Sequence, residues 1–360
     1  MSIPTLQPLP TKINNQSPEK KDLADLPEII LGAGVFNYQY NDHPDELPAD
    51  KILARAFDLG IRALDSSAYY GPSEIIVGSA LDRIRDKYPR NSYVICTKAG
   101  RVKENEFDYS PAHIRSSVER SLERFHTDYI DVLYLHDVEF VDADLAVGAI
   151  RELFELKKEG RIHHVGMSGY PLDYLLKLAI KVRKDLGQPL DLLLSYSNFC
   201  LQNTLLKEYL PRLKSTGSDG AGIRHILSAS PLSMGLIRAQ PAPGFHPASD
   251  ELKAAISESA KYTESEGGVD LADLAVRFAL RNWAKAIEAV DGPDARTARS
   301  YVYGLSSLQE VENAVKDYWQ VKNGSETDLD EKLVAGVQAI LKQHGQLNAT
   351  WPSGIEHPEI

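Results

Sequence analysis

Short apolar runs alternate with longer amphipathic stretches eight times between residues 28 and 318. The short runs are typical of buried strands, and the longer stretches repeat their apolar positions with the period of a helix. The apolar runs fall at residues 28–36, 61–65, 92–98, 129–136, 162–169, 190–198, 225–232 and 300–307. Eight such alternations close a parallel sheet without leaving an exposed edge, so the pattern predicts an α/β fold, a (β/α)8 TIM barrel.

An open doubly wound sheet is the alternative arrangement of these elements, and it would carry G-x-G-x-x-G at the start of its first helix. Gly32 and Gly34 follow the first apolar run, but no third glycine stands at the required spacing. The two glycines indicate either an ordinary turn or a close approach of the backbone to a ligand. The closed barrel is therefore favoured.

The same pattern divides the chain into one domain with two tails. Residues 1–26 contain Pro, Asn and Lys but no Arg and no long apolar run, so they match neither a signal sequence nor a targeting helix. We expect a flexible N-terminal tail at residues 1–26, a single barrel domain with an extra C-terminal helix at residues 27–345, and a C-terminal tail at residues 346–360. No apolar stretch reaches about 18 residues, so no membrane span is expected.

Charge and cysteine content narrow the range of partners. The formal net charge of −11 disfavours nucleic acid and anionic membranes, whose phosphate groups need Lys and Arg. The two cysteines, Cys96 and Cys200, do not form a C-x-x-C pair, so neither a zinc site nor a disulfide framework is expected. We expect a cytoplasmic protein without a metal site. Its oligomeric state leaves no mark on the sequence, and a homodimer stays open.

Three successive predicted strands end in a reactive side chain, namely Asp65, Lys98 and His136, and Tyr70 follows in a Gly-Pro turn. Because the strands of a parallel barrel end at one mouth, we expect these four groups to meet there. A Lys beside a phenol draws the phenol's pKa towards neutrality, and a carboxylate keeps the Lys charged and directed. This combination suits carbonyl-alcohol interconversion in which a cofactor carries the hydride.

Each of the four residues also has an ordinary structural explanation when it is taken alone. Asp65 is a suitable turn cap, Tyr70 a suitable packing residue, and Lys98 and His136 are suitable solvated residues at the barrel rim. Four complementary groups at one mouth nevertheless favour a shared site.

Six motifs resemble those of the aldo-keto reductase family. They are D-S-S-A-Y-Y-G from Asp65, T-K at Lys98, L-H at His136, V-G-M-S ending at Ser168, S-P-L-x-x-G from Ser230, and G-L-S-S-L-Q-E-V-E-N from Gly304. The resemblance implies that Tyr70 is the general acid or base, that Asp65 and Lys98 tune it, and that His136 orients the substrate. It also implies an extended nicotinamide dinucleotide at the barrel mouth. The residues expected to contact this cofactor are Gly34, Val35, Ser168, Ser230, Leu232, Gly235, Gly304, Ser306, Ser307, Glu310 and Asn313.

Two further runs, A-S-P-L-S-M-G-L and L-L-S-Y-S, resemble a plant and fungal branch of sugar dehydrogenases within this family. That branch oxidises the anomeric carbon of an aldose such as D-arabinose to a lactone, on a route to ascorbate or its five-carbon analogue. The chain departs from the commoner family pattern at Gly169, Ala229 and Leu193, where many members have Asn, Tyr and Gln. The contacts to the nicotinamide are therefore expected to differ from theirs.

The turn from Gly304 to Asn313 bears on the choice of cofactor. NADP-dependent members of the family place Lys and Arg here, whereas this chain has Gly304 and Glu310 at those positions. A carboxylate repels a 2′-phosphate and accepts a hydrogen bond from a ribose 2′-hydroxyl, so the sequence predicts NAD rather than NADP. The first amides of the last barrel helix, with Ser306 and Ser307, are expected to meet the adenosine end.

The leading hypothesis is a cytoplasmic NAD-dependent aldose 1-dehydrogenase that oxidises D-arabinose or a stereochemically similar sugar. An NADP-dependent carbonyl or aldehyde reductase of broad range is the alternative within the same family. A cofactor-binding regulatory subunit is the alternative of another class. Turnover and cofactor preference distinguish the three.

Overall fold

The computed structural model describes residues 6–355 and residue 360, and its central feature is a closed barrel of eight parallel strands. In this part of the chain the strands are β1 (Ile29–Gly32), β2 (Ala63–Asp65), β3 (Val94–Ala99), β4 (Arg101–Lys103), β5 (Glu106–Phe107), β6 (Ile130–Leu135), β7 (Ile162–Gly169), β8 (Leu192–Tyr196), β9 (His225–Ala229) and β10 (Tyr301–Gly304). All except β4 and β5 belong to the barrel, in chain order, and β10 pairs with β1 to close it. The predicted (β/α)8 barrel is confirmed.

Helices alternate with the barrel strands and pack around them. In the described chain they are α1 (Ala49–Asp58), α2 (Ser73–Ile84), α3 (Pro111–Phe125), α4 (Ala143–Lys158), α5 (Leu172–Leu186), α6 (Leu206–Lys214), α7 (Asp250–Gly267), α8 (Leu271–Asp291), α9 (Leu308–Lys322) and α10 (Thr327–Gln343). Local signals explain their ends: Ser110 accepts the amide of His113 at the start of α3, and Gly187 has a left-handed φ of 70° directly after α5. The extra C-terminal helix is α10.

Alternating side chains of the strands build two apolar layers. Cys96 and Tyr134 lie in a buried cluster inside the barrel, whereas Ile95 packs in the layer between the strands and the helices. The period of two residues continues to the strand ends. It turns Lys98, two residues after Cys96, and His136, two residues after Tyr134, towards the barrel interior at the mouth.

A short hairpin formed by β4 and β5 follows the third barrel strand at the mouth. The sequence gives no strand signal here because the segment is short and largely polar. The hairpin places Arg101 against Asp137, the second residue after β6. It therefore adds a charged group to the mouth that the strand pattern did not predict.

Residues 6–26 pack against the barrel, whereas the sequence predicts a flexible tail over residues 1–26, of which residues 1–5 lie outside the described chain. Ile13, Leu23 and Leu26 are buried against the barrel interior, and Lys21 forms an ion pair of 2.9 Å with Asp131 of β6. These apolar residues follow no helical or strand period, so the sequence gives no sign of their burial. The segment closes the barrel end opposite the mouth.

The chain after β10 adds a second layer and then returns to the mouth. Helices α7 and α10 share a buried apolar cluster that includes Leu252 and Leu333. Beyond α10, residues 346–355 run back over the barrel, where Trp351 stacks on Tyr170 with ring centroids 4.5 Å apart. Residues 346–355 of the predicted C-terminal tail thus form part of the mouth, and residues 356–359 lie outside the described chain. Among the described residues, no helix combines the length and the apolar composition that a membrane span requires.

Candidate active site

A buried ion pair between Lys98 and Asp65 forms the base of the site. Lys98 Nζ lies 2.5 Å from Asp65 Oδ1 and also donates to the carbonyl oxygen of Ser66 at 2.7 Å. Both side chains are nearly inaccessible, with exposed fractions of 2% for Lys98 and 6% for Asp65. Burial alone would lower the pKa of Lys98, but Asp65 and then Tyr70 raise it above its usual value. The ammonium group therefore stays charged inside the protein.

Tyr70 lies over this pair. Lys98 Nζ is 4.8 Å from the centroid of the Tyr70 ring. Burial raises the pKa of the Tyr70 phenol, and Lys98 acts in the opposite direction. The lowering influence of Lys98 was predicted from the sequence, but burial outweighs it, so the net direction is upward. The phenol is protonated at neutral pH, and Lys98 is the group that stabilises its anion.

His136, directly after β6, faces Tyr70, with ring centroids 5.6 Å apart and planes at 84°. Its Nδ1 lies 2.9 Å from Ser67 Oγ, and Ser67 Oγ accepts the Tyr69 amide at 3.1 Å. The hydroxyl hydrogen of Ser67 is then free to point at Nδ1, an arrangement that leaves the imidazole proton on Nε2. Burial, Lys98 and Arg101 together hold the pKa of His136 well below its usual range. The imidazole is neutral and can donate one hydrogen bond from Nε2.

The structure thus brings the four predicted catalytic residues together at the mouth and adds residues that the sequence reasoning missed. Asp137 Oδ2 lies 3.5 Å from His136 Nε2 and is paired with Arg101 Nη1. Arg101 stacks on Tyr69, with its guanidinium carbon 4.2 Å from the ring centroid. The one available signal was the acidic residue directly after the histidine.

The first group of predicted cofactor residues lies at the join between β10 and β1. Gly304 pairs with Gly32, and Gly32 pairs in turn with Asp65, so the turn after β10 is next to the catalytic strands. A Cβ at Gly304 would lie 2.8 Å from Val35 Cγ1, and one at Gly34 would lie 3.4 Å from the Tyr70 ring. The two glycines therefore let Val35 and the Tyr70 ring pack directly against the backbone at the join of β1 and β10.

The second group follows β9. Ser230 donates its amide to Val302 O, and the turn that it begins contains several residues with positive φ, namely Ser230, Ser233, Met234 and Gly235 at 62°, 47°, 53° and 83°. Left-handed backbone turns amide groups outward and is uncommon for residues other than glycine. Leu232 is partly exposed within this turn, whereas Ser168 is buried and donates to Leu135 O at 3.4 Å.

The third group lies at the start of α9. Ser307 accepts the amide of Glu310 at 3.1 Å, and Glu310 Oε2 accepts the amide of Ser306 at 2.6 Å and its hydroxyl at 3.0 Å. This arrangement resembles a capping box, in which a serine and an acid at the start of a helix each accept a hydrogen bond from a backbone amide near the other. Asn313 is exposed one turn further along and accepts a hydrogen bond from Gln309. Glu310 therefore already has a structural role in the turn.

Gly169 departs from the commoner family pattern for a steric reason. A side chain at position 169 would collide with the carboxyl group of Glu139. Glu139 is buried, and its Oε1 accepts the amide of Tyr170 at 2.9 Å, while Oε2 has no partner among the described residues. Burial raises its pKa to about 8. A carboxyl group thus occupies the space where an amide side chain would stand. Of the other two departures, Leu193 packs towards the helices and Ala229 lies in the buried cluster inside the barrel.

Comparisons with known proteins agree with this architecture. A profile of the aldo/keto reductase family matches residues 28–327. The chain is 42% identical over 352 residues to D-arabinose 1-dehydrogenase of Saccharomyces cerevisiae, which covers 96% of this chain and 99% of that protein. It is 36% identical over 306 residues to L-galactose dehydrogenase of Arabidopsis thaliana, which covers 84% of this chain and 86% of that protein.

The fold also resembles solved structures. One is an aldo-keto reductase from Bacillus halodurans in its holo form, with a TM-score of 0.59 and 22% identity, which covers 90% of this chain and 96% of that one. The family profile spans most of the sequence, and the yeast and plant proteins align with most of its length. The resemblance inferred from the motifs is confirmed, and the chain belongs to the aldo/keto reductase family.

Proposed function

We propose that this oxidoreductase converts the anomeric carbon of an aldose, D-arabinose or a sugar of similar stereochemistry, to a lactone with NAD. The observation that carries the proposal is the convergence of Tyr70, Lys98, Asp65 and His136 at one end of the barrel. The yeast and plant relatives are both sugar dehydrogenases by name, which supports an aldose as the substrate.

In the proposed reaction the anomeric hydroxyl lies between Tyr70 and His136. His136 Nε2 donates to the hydroxyl oxygen and holds it. The base is the phenolate form of Tyr70, a minor form at neutral pH that arises when the phenol loses its proton to water, and it takes up the hydroxyl proton. Lys98 stabilises this phenolate because its ammonium group lies 4.8 Å from the ring centroid and is kept charged by Asp65. A nicotinamide ring bound at the mouth supplies the acceptor for the hydride that leaves the anomeric carbon.

The residues present fit a nicotinamide dinucleotide. The glycines at positions 34 and 304 leave the backbone without side chains beside Tyr70 and Val35, next to the strand end that carries Asp65. At the other end, α9 is 15 residues long and presents its first amides beside Ser306 and Ser307. Helix N-terminal amides favour anionic groups, so this end suits the phosphates or the adenosine part of the cofactor.

NAD is favoured over NADP because of charge in the turn before α9. Residues 304–313 contain no Lys or Arg, and Glu310 places a carboxylate there. Since Glu310 accepts hydrogen bonds from Ser306, its role in the proposal is to shape the turn and to repel a 2′-phosphate. Both contacts go to Oε2, so the other oxygen, Oε1, can still accept a hydrogen bond from the ribose 2′-hydroxyl.

Absorbance at the reduced-nicotinamide band, with a panel of free aldoses and with NAD and NADP in parallel, tests the proposal. We expect turnover of D-arabinose or a related aldose and a higher catalytic efficiency with NAD. The Tyr70→Phe variant is expected to lose about 10²- to 10⁴-fold of the rate, the range typical of a general acid-base group, and to bind the cofactor nearly unchanged. Tyr69→Phe is the matched control, since it removes a neighbouring hydroxyl and is expected to retain most of the activity.

Each alternative function gives a different result in this experiment. Equal or better efficiency with NADP, together with faster reduction of simple aldehydes than oxidation of sugars, would indicate a carbonyl reductase of broad range. Tight cofactor binding without turnover on any sugar or aldehyde would indicate a regulatory subunit. A Tyr70→Phe variant that keeps more than about a tenth of the wild-type rate would contradict the role of Tyr70.

A further inference from the structure

Asp137 is a buried acid at the mouth with no part in the proposed proton transfer. It directly follows His136, and its left-handed backbone, with φ 53° and ψ 61°, turns the chain sharply at this point. As a result Asp137 Oδ2 lies only 3.5 Å from His136 Nε2, the atom that holds the anomeric oxygen in the proposed reaction. The exposed fraction of Asp137 is 3%.

Arg101 fixes this carboxylate in position. The guanidinium of Arg101 pairs with Asp137 Oδ2 and is itself held over the ring of Tyr69. It also lies beside Phe107 and Phe140, at 5.3 and 5.6 Å from the ring centroids. A planar guanidinium held on three aromatic rings is a rigid partner. The β4–β5 hairpin thus serves as the support of the Asp137 carboxylate.

The arrangement leaves acceptor capacity next to the reacting oxygen. A carboxylate offers about four acceptor positions, and Arg101 Nη1 takes up one of them. The 3.5 Å between Asp137 Oδ2 and His136 Nε2 exceeds the usual hydrogen-bond length of about 2.9 Å. A plain carbonyl compound has no donor for this carboxylate. A sugar does, because the hydroxyl on its second carbon adjoins the anomeric oxygen that His136 holds.

We propose that Asp137 accepts a hydrogen bond from the hydroxyl on the carbon next to the reacting carbon, and that Asp137 thereby selects hydroxylated substrates. This inference rests on the proposed function for the identity of the substrate and extends it to a specificity-determining residue. A site built to bind a hydroxyl discriminates strongly against an analogue without it, because the buried polar group is then left unpaired.

The test compares two pairs of substrates that differ in this hydroxyl. For oxidation the pair is D-arabinose and 2-deoxy-D-ribose, which is also the 2-deoxy form of D-arabinose. For reduction the pair is D-glyceraldehyde and 3-hydroxypropanal, which lacks only the hydroxyl on the second carbon. In the wild-type enzyme we expect kcat/KM to favour the hydroxylated member of each pair by about 10- to 100-fold, the effect of a hydrogen bond to a charged group. In Asp137→Asn this preference should fall below about threefold, mainly through loss of the hydroxylated substrate.

Two controls separate this role from a structural one. Glu106→Gln removes an exposed carboxylate from the same hairpin and should leave both ratios unchanged. Cofactor binding, followed by quenching of protein fluorescence, should be the same in Asp137→Asn as in the wild type. If Asp137→Asn slows both members of each pair equally, Asp137 only supports the fold and the inference is wrong. If the wild type oxidises no aldose, the proposed function fails, and the glyceraldehyde pair still decides the role of Asp137.

Discussion

The buried pair of Lys98 and Asp65 allows the contribution of this site to the free energy of unfolding to be measured. Lys98→Met keeps the length and apolar stem of the side chain but removes the ammonium group. Asp65 would then keep a carboxylate with one oxygen, Oδ2, that already lacks a hydrogen-bond partner among the described residues. The other oxygen would lose its contact of 2.5 Å with Lys98 Nζ.

The geometry sets the expected magnitude. With side-chain exposures of 2% and 6%, neither group can be solvated well once its partner is gone. Removal of one partner from a buried pair typically costs about 3–5 kcal/mol, whereas neutral replacement of both partners is often close to neutral. We therefore expect Lys98→Met to lose about 3–5 kcal/mol of unfolding free energy at pH 8, and Lys98→Met with Asp65→Asn to lose less than the single variant.

The pH dependence of this loss has a definite sign. Burial already raises the pKa of Asp65, and Lys98 opposes that rise, so the pKa of Asp65 should rise further in Lys98→Met. A raised pKa in the folded state lowers stability as pH increases from the unfolded value of about 3.9 towards the folded one. The loss should therefore be smaller at pH 5 than at pH 8.

Urea unfolding of the wild type, the two single variants and the double variant, at pH 5 and pH 8, measures these differences. Activity should be strongly reduced in all three variants, because none retains the charge pair beneath Tyr70. The reasoning is refuted if the two single losses add within about 0.5 kcal/mol in the double variant, since groups in contact should couple. A loss that does not change between the two pH values would equally refute it.

Three further predictions concern other buried groups. Glu139→Gln should flatten the pH dependence of stability. The pKa of Glu139 is raised from 4.5 to about 8, so wild-type stability falls as the pH rises through that range. Identical urea profiles of variant and wild type at pH 5 and 9 would contradict this. Gly169→Ala should lower the free energy of unfolding by about 1–3 kcal/mol, because the added methyl group overpacks against Glu139. Adding Glu139→Ala should relieve part of that loss. Strictly additive losses in the double variant would exclude the clash. Lys21→Met should destabilise by about 1.5–3 kcal/mol, because Asp131 loses one of two cationic partners and keeps only Arg90. Lys12→Met removes an exposed ion-pair residue and is the near-neutral control in thermal unfolding; equal losses would show that burial does not matter here.

The sequence predicts the barrel and the convergence of the four candidate residues well, because both depend on local pattern. A period of two ending at Lys98 and at His136 determines which side chains reach the mouth, and Ser110 and Gly187 mark helix ends through their own backbone preferences. The roles assigned to these residues and the choice of NAD stay predictions.

The parts that the sequence did not predict depend on contacts between distant segments. Arg101 reaches Asp137 through a short polar hairpin without strand periodicity. Glu139 is buried only because Gly169 leaves room for it. The net direction of the Tyr70 pKa depends on the depth of burial, which residue types do not reveal. Ile13 is isolated in its sequence, so its place beneath the barrel could not be inferred.

The segment beneath the barrel limits how this protein can be shortened or recombined. The family profile begins at residue 28 and ends at residue 327, yet Leu23 and Leu333 are both in buried clusters. A chain cut at the profile limits would expose the apolar barrel interior to water at one end. It would also expose the apolar face of α7 that packs against α10. Chimaeras with other family members should therefore exchange pieces inside the barrel loops and keep both flanking segments from the same parent.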